Sequence, residues 1–198
     1  EAANLGIQVF GGHGYIGEHG MEQIARDARI STLYEGTTGI QALDLLGRKV
    51  LLNTKGKCVR DFSGTVLRFV KPFALERTPM GQMARTLARR TAQWNLLTTL
   101  IMLRASKDRE QVGSSSVDYL MYSGFVMMAY FWALQAATAT ELLASGKGKE
   151  SKDFYTAKIQ TAEFYFARLL PRADGHYSAA LAPTSAVMQM PQELFQMA

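Results

Sequence analysis

The chain has almost no cysteine, with Cys58 the only one in 198 residues. A single thiol excludes an intrachain disulfide and any zinc site built from several cysteines. It suits a reducing compartment, so a cytoplasmic location is expected. Cys58, between Lys57 and Val59, reads as an inert thiol. Proline (5) and glycine (17) are not in excess, which argues against low-complexity and disordered classes. Runs of one charge sign are missing too. The formal net charge is +5, but the Lys and Arg are scattered, which argues against a nucleic-acid groove. No stretch alternates with a two-residue period and no segment repeats, so strands are not expected.

What is present is apolar material at helical spacing. Apolar residues make up 47% of the chain, enough for a packed core. The segment from Glu22 to Arg29 is short, charged and helix-prone, with Arg26, Asp27 and Arg29 expected to form ion pairs along it. From Thr38 to Leu52, Ile40, Leu43, Leu46 and Val50 fall on one helical face, and Thr38 with Gln41 can form a capping box. The polar stretch from Asn53 to Gly64 reads as a connection, followed by a helix from Val66 to Leu75 interrupted near Pro72. Behind Pro79, Met80, Met83, Leu87, Trp94, Leu97 and Ile101 keep nearly heptad spacing.

A serine-rich joint at 113–116 is expected before a very apolar helix from Val117 to Leu143. Between Tyr119 and Thr140 no side chain is charged, a length sufficient to cross a membrane. Ser123, Gly124, Gln135, Thr138 and Thr140 interrupt the run. The neighbouring helices carry matching apolar faces, so the helix is expected at the centre of a bundle and no transmembrane segment is expected. Ser145 to Ser151 is a linker. Phe154, Ile159, Ala162, Phe166 and Leu169 mark a last strong helix ended by Pro171, with a loosely packed tail from Ala173 onward. The expected fold is all-α, a helical bundle, divided as 1–53, a connection over 54–68, and a second helical part over 69–198.

Two motifs carry the chemical information. FGGHGY, from Phe10 to Tyr15, has three glycines in four positions. Such a loop lets main chain approach a ligand and leaves amides free for phosphate, and it serves equally as a turn between helices. LYEGTTGIQ, from Leu33 to Gln41, places Glu35 directly before Gly36 and the Thr-rich start of a helix. Gly36 would let a substrate lie against the backbone, and a helix start supplies unpaired amides. A lone carboxylate at such a position also serves as an ordinary helix N-terminal acid.

QVFGGHGY, followed from Arg26 by RDARISTLYEGTTGIQ and the trailing ALDLLGRKVL, resembles the C-terminal signature of acyl-CoA dehydrogenases. The likeness covers most of residues 2–50 and pairs a flavin-loop motif with a base motif. The region from about Phe69 to Ala198 resembles the extra helical part of a long subfamily that includes 3-methylmercaptopropionyl-CoA dehydrogenase. The opening EAANLGIQVFGG reads as the tail of a helix entering a loop, so the chain is expected to be a piece of a longer one and inactive by itself.

The resemblance implies an FAD-dependent α,β-dehydrogenation of an acyl-CoA thioester. Glu35 falls on the catalytic base that takes the α-proton, and Gly36 lines the thioester. Gln8, Val9, Phe10, Gly11 and Gly12 fall on the stretch that contacts FAD of a neighbouring subunit, and Thr37 and Gly39 lie by the flavin. Gly39 stands where many relatives have glutamine, and His13 is expected to be a structural loop residue. The β-hydrogen is expected to leave as hydride to flavin N5. Implied partners are the acyl-CoA substrate, an electron-transfer flavoprotein, and further copies in a homodimer or homotetramer. No metal is expected. The chemistry demands help, because an α-hydrogen of a thioester is far too weakly acidic for a free glutamate near pKa ~4.3. Burial of Glu35 beside substrate and flavin would raise its proton affinity. Hydrogen bonds to the thioester oxygen, one of them from the Glu35 amide, would stabilise the developing enolate. The rival readings are an acyl-CoA oxidase, in which oxygen takes the electrons, and a non-catalytic helical oligomerisation module.

Overall fold

Where apolar residues recur every three or four positions the chain is helical, and among the described residues there is no strand. The computed structural model describes residues 1–196. Two compact units divide the chain, Glu1–Gln41 and Ala42–Ala198.

The first unit contains α1 (Ala2–Phe10), the single-turn α2 (Gly12–Tyr15) and α3 (Met21–Ile30). It ends as α4 (Thr38–Leu43) begins. Of the ion pairs expected along α3, only that of Arg26 forms among the described residues, with Glu22 at 2.6 Å; Asp27 instead accepts from Gln23 at 2.7 Å. These exposed contacts stabilise the helix by a few tenths of a kcal/mol each, about 0.2–0.5.

The second unit holds the core. α4 runs on into wide π-helical turns over Asp44–Asn53, which bury Ala42, Leu46 and Val50. The expected face is corrected here: Leu46 and Val50 are inside, but Ile40 and Leu43 are 58% and 43% exposed. The helical repeat of four residues selects Ala42, Leu46 and Val50 as the stripe that packs. The reading of 54–68 as a connection is also corrected. Gly56, at φ 75, starts α5 (Lys57–Val70), whose buried face is Val59, Ser63, Val66 and Val70. A serine sits in that face because Ser63 Oγ donates to the Val59 carbonyl at 2.7 Å and so brings its own partner. Leu46, Val50, Val59 and Val66 therefore join one core with Leu87, Leu97 and Ile101.

A short 3₁₀ turn carries Pro72. Thr78 caps α6 (Pro79–Ala105), its hydroxyl accepting from the Gly81 amide at 3.1 Å. α6 buries Met83, Leu87, Trp94, Leu97 and Ile101 on one face, as their spacing predicts. α7 (Glu110–Ser145) starts before the serines, so GSSS is not a joint: Ser115 and Ser116 are buried within the helix. Ser115 Oγ donates to the Ala180 carbonyl at 2.6 Å and accepts from Gln111 at 2.7 Å. The break lies instead around Ser106–Arg109.

α7 packs against α6, α8 (Lys152–Phe164) and α9 (Ala173–Ala180), which gives it the central place expected. It is long and apolar enough to cross a membrane by length and composition. Burial is one-sided rather than complete. Tyr119, Tyr122, Val126, Ala129, Ala133 and Ala136 face inward, while Met121, Met128 and Phe131 are 40%, 48% and 44% exposed. The inward tyrosines are satisfied: Tyr119 pairs with Thr98 at 2.7 Å, and Tyr122 donates to the Arg90 carbonyl at 3.0 Å. Burial pushes both phenols up to about 12.

Gly146, at φ 66, ends α7, and Ser151 caps α8 through the Phe154 amide at 3.2 Å. The face of α8 also differs from the expected one: Tyr155, Ala162 and Tyr165 are buried while Phe154 is 44% exposed. The expected loose tail packs at its start. α9 is fixed by Ala173 and Ala180 in the core, by the ion pair of Asp174 with Arg90, and by His176 Nδ1 on Asp118 at 2.8 Å. α10 (Ser185–Met188) follows.

Candidate active site

The first unit carries every residue singled out for chemistry. At the corner between α1 and α2 the three glycines of FGGHGY do different things. Gly11 turns the chain at φ 60, where a side chain would strain the backbone. Gly14 is buried against α1, and a Cβ there would sit 2.5 Å from the Ile7 carbonyl oxygen. Gly12, like Gly11, has nothing within 4 Å of where a Cβ would stand. The corner is thus built tight on one side and open on the other. Gln8 is exposed, and Val9 and Phe10 are 84% and 50% exposed.

The second motif forms a turn between α3 and α4. The end of α3 is closed by Ser31 and Thr32, whose hydroxyls donate to the Ala28 and Arg29 carbonyls at 2.7 and 2.9 Å. The Thr38 amide then bonds back to the Thr32 carbonyl at 3.3 Å. Within this loop Glu35 has φ 54 and Gly36 has φ 97. A left-handed glutamate is uncommon, costing roughly 1–2 kcal/mol per residue, and such residues cluster at functional sites. Gly36 cannot be replaced without conflict, since a Cβ would stand 3.0 Å from Gln41 Nε2 and 3.3 Å from Ile40 Cγ2.

Gln41 reaches back, as the expected capping box requires, but to a different group. Its side-chain amide donates to the Glu35 carbonyl at 2.6 Å. Among the described residues the amides of Glu35, Gly36 and Thr37 have no hydrogen-bond partner. The Glu35 side chain is exposed, as are Thr37 and Gln41, whereas Gly36 and Gly39 are half-buried. The structure thus brings Glu35, Gly36, Thr37 and Gly39 onto one turn, and Gln8, Val9, Phe10, Gly11 and Gly12 onto one corner. The reach of Gln41 to Glu35 is what the sequence reading missed. The signal for it was the same i to i+3 pattern that suggested a cap.

A cleft of about 780 Å³ lies elsewhere in this unit, lined by Asn4 and Ile7 of α1 and by Glu22, Arg26 and Arg29 of α3. Neither Glu35 nor the Gln8–Gly12 stretch lines it, so cleft size is no guide to the chemistry here. His13, expected in a loop, lies in the single turn of α2 and stands edge-on to His19, centroids 5.1 Å apart. Among the described residues no group of His, Cys, Asp and Glu could hold a metal ion.

Comparison with known proteins bears on both units. Residues 1–51 match the family described as acyl-CoA dehydrogenase, C-terminal domain, and residues 62–191 match the one described as acetyl-CoA dehydrogenase C-terminal like. The 3-methylmercaptopropionyl-CoA dehydrogenase of Ruegeria pomeroyi is 36% identical over 185 residues, which is 90% of this chain and 30% of that protein. A broad-specificity linear acyl-CoA dehydrogenase of Mycobacterium tuberculosis is 33% identical over 171 residues, 83% of this chain and 28% of its own length. A butyryl-CoA dehydrogenase of Syntrophomonas wolfei is 30% identical over 193 residues, 96% of this chain and 31% of its own. The chain therefore spans less than a third of the length of these relatives, and it belongs to the acyl-CoA dehydrogenase family.

Proposed function

We propose that the protein of which this chain forms part is an FAD-dependent acyl-CoA dehydrogenase, and that Glu35 removes the α-proton of an acyl-CoA thioester. One observation carries the reading. Glu35 is held at φ 54 on a turn whose own amides, at 35, 36 and 37, are unpaired. A carboxylate and free N–H donors on the same short loop are what proton abstraction next to a carbonyl requires. The Glu35 amide donates to the thioester oxygen, so negative charge arriving there meets a donor already in place. Gly36, lacking a side chain, lets the thioester lie against the backbone. The exposed carboxylate is free to receive a substrate, which then shuts it off from water.

The corner residues fit a flavin. Exposed Val9 and Phe10 offer apolar surface to the FAD of a neighbouring subunit, while Gly11 and Gly12 leave the space beside them open. Gln8 adds polar hydrogen-bonding capacity there, and Thr37 and Gly39, on the base's own turn, would border the flavin that faces Glu35. When bound, FAD supplies the acceptor for the β-hydride. Electrons then pass to an electron-transfer flavoprotein, and the protein works as a homodimer or homotetramer.

The test is Glu35→Gln in the full-length protein. The variant keeps its fold and flavin content, and its turnover of straight-chain acyl-CoA with an artificial electron acceptor falls by several orders of magnitude. Unimpaired turnover removes Glu35 as the base.

A further inference from the structure

We infer that Gln41 is a positioning residue for the base: its side-chain amide clamps the Glu35 carbonyl and so sets where the Glu35 carboxylate points. The inference rests on the reading of Glu35 given above.

Gln41 sits six residues after Glu35, in α4, and its Nε2 lies 2.6 Å from the Glu35 carbonyl oxygen. That oxygen belongs to the peptide joining Glu35 to Gly36, so holding it fixes the ψ angle of Glu35 and the φ angle of Gly36 together. Both residues are in the left-handed region, at φ 54 and 97. A glutamate does not keep that conformation by preference, and glycine at the next position would let the peptide rotate freely. Something outside the two residues must hold the plane. Among the described residues the only hydrogen bond to this carbonyl comes from Gln41.

The clamp is stiff for its size. The Gln41 amide bonds to the Thr37 carbonyl at 3.0 Å, which anchors the backbone of the clamping residue to the far side of the same turn. Gly36 leaves room for the reach: its missing Cβ would stand 3.0 Å from Gln41 Nε2. A side chain at 36 would push the amide off the carbonyl. Gly36 thus has two uses, one for the substrate and one for the clamp.

The consequence concerns rate rather than binding. With the clamp lost, the Glu35–Gly36 peptide can rotate, and the direction of the Glu35 side chain relative to the thioester is no longer fixed. Misplacement of a catalytic group by about 1 Å costs on the order of a hundredfold in rate. A group that acts only on the transition-state geometry lowers kcat with little change in KM.

The experiment uses the full-length holoenzyme and the straight-chain acyl-CoA that turns over fastest in a butyryl-to-palmitoyl series. Gln41→Met keeps the length and helix preference of the side chain but removes the donor, and Gln41→Lys restores a donor. Gln41→Met is expected to lose about ten- to a hundredfold in kcat, with KM within about twofold and flavin content unchanged. Its α-deuterium isotope effect rises, because proton abstraction becomes slower than the steps around it. Gln41→Lys recovers most of the rate. The proposal is overturned if Gln41→Met keeps wild-type kcat, if KM and flavin content change along with kcat, or if Gln41→Lys is as slow as Gln41→Met. Glu35→Gln, measured beside them, separates two failures. An inactive Glu35→Gln with a fully active Gln41→Met refutes the clamp alone, whereas an active Glu35→Gln refutes the base itself.

Discussion

Removing the carboxylate of Asp174 should loosen α9 from the bundle by about 2 kcal/mol. Asp174 lies in the first turn of α9 and takes two nitrogens of the Arg90 guanidinium on α6. The pair is unequal, with side-chain exposures of 4% for Arg90 and 62% for Asp174. Breaking a buried pair from one side costs about 3–5 kcal/mol, because a charge is left without its partner. An exposed pair contributes about 0–1 kcal/mol. Here the charge left behind is buried, but water can enter through the vacated carboxylate position, which places the loss between those limits. Arg90 has little else to turn to. Its Nε has no partner, and only Gln93, at 3.2 Å, remains for the forked end.

The pair also fixes the sign of a pH dependence. The Asp174 carboxyl is held below the usual range, first by its hydrogen bond with Arg90, against the opposing effect of burial. Its contribution is therefore complete above the unfolded value of about 3.9 and is lost as pH falls through the lower folded value. Urea unfolding of wild type, Asp174→Ala, Arg90→Met and the double variant measures both effects. The double variant should be less damaged than the sum of the singles, since no unpaired buried charge remains. An Asp174→Ala loss under about 0.5 kcal/mol at neutral pH would refute the reasoning. So would a difference from wild type that stays constant as pH drops below about 4.

Two further outcomes follow from the same geometry. Gly14→Ala places a Cβ 2.5 Å from the Ile7 carbonyl oxygen and 2.9 Å from Phe10 Cβ, so the α1–α2 corner must open. The full-length protein should then purify with reduced flavin content, read from its visible absorbance, while Gly12→Ala, with nothing within 4 Å, leaves the corner itself unmoved. Asp44, drawn down to about 2 by its hydrogen bonds with Arg48 and then Lys49, contributes stability that is present above about pH 3.9 and lost as pH falls toward that lower value. NMR titration of its carboxyl carbon checks this, and a midpoint near 4 contradicts it.

The fold was legible where large apolar residues recur along the buried face, even with Arg90, Thr91 and Thr98 buried among them on α6. On α6, Met83, Leu87, Trp94, Leu97 and Ile101 are apolar, regularly spaced and inside. Legibility fails where serines that read as breaks are buried with partners of their own. Ser63 on α5 and Ser115 on α7 both look like breaks in a sequence, yet both are buried, bonded to the Val59 and Ala180 carbonyls. The Ala180 bond also explains α9. A stretch with three alanines, a glycine and a histidine shows little apolar periodicity, and what docks it are single long-range contacts, Asp174 to Arg90 and His176 to Asp118. Those contacts join residues 84 and 58 positions apart, beyond the reach of any local pattern.

The candidate site divides along the same line. The backbone around Glu35 is held within ten residues, by the Thr38 amide on the Thr32 carbonyl and by Gln41 on the Glu35 carbonyl. Such a device is local, which is why a short motif can carry it from one protein to another. Dryness around the carboxylate is different. Glu35 is exposed on its turn, so no residue of the loop itself removes it from water. On the proposed reading that exclusion falls to groups that arrive from outside the loop, the thioester and the flavin foremost. On that reading a short local motif aims the base, but the medium in which it works belongs to the assembled site. Variants of the turn should act on the geometry of proton removal, and variants of the corner at Gln8 to Gly12 on the FAD content of the assembled protein.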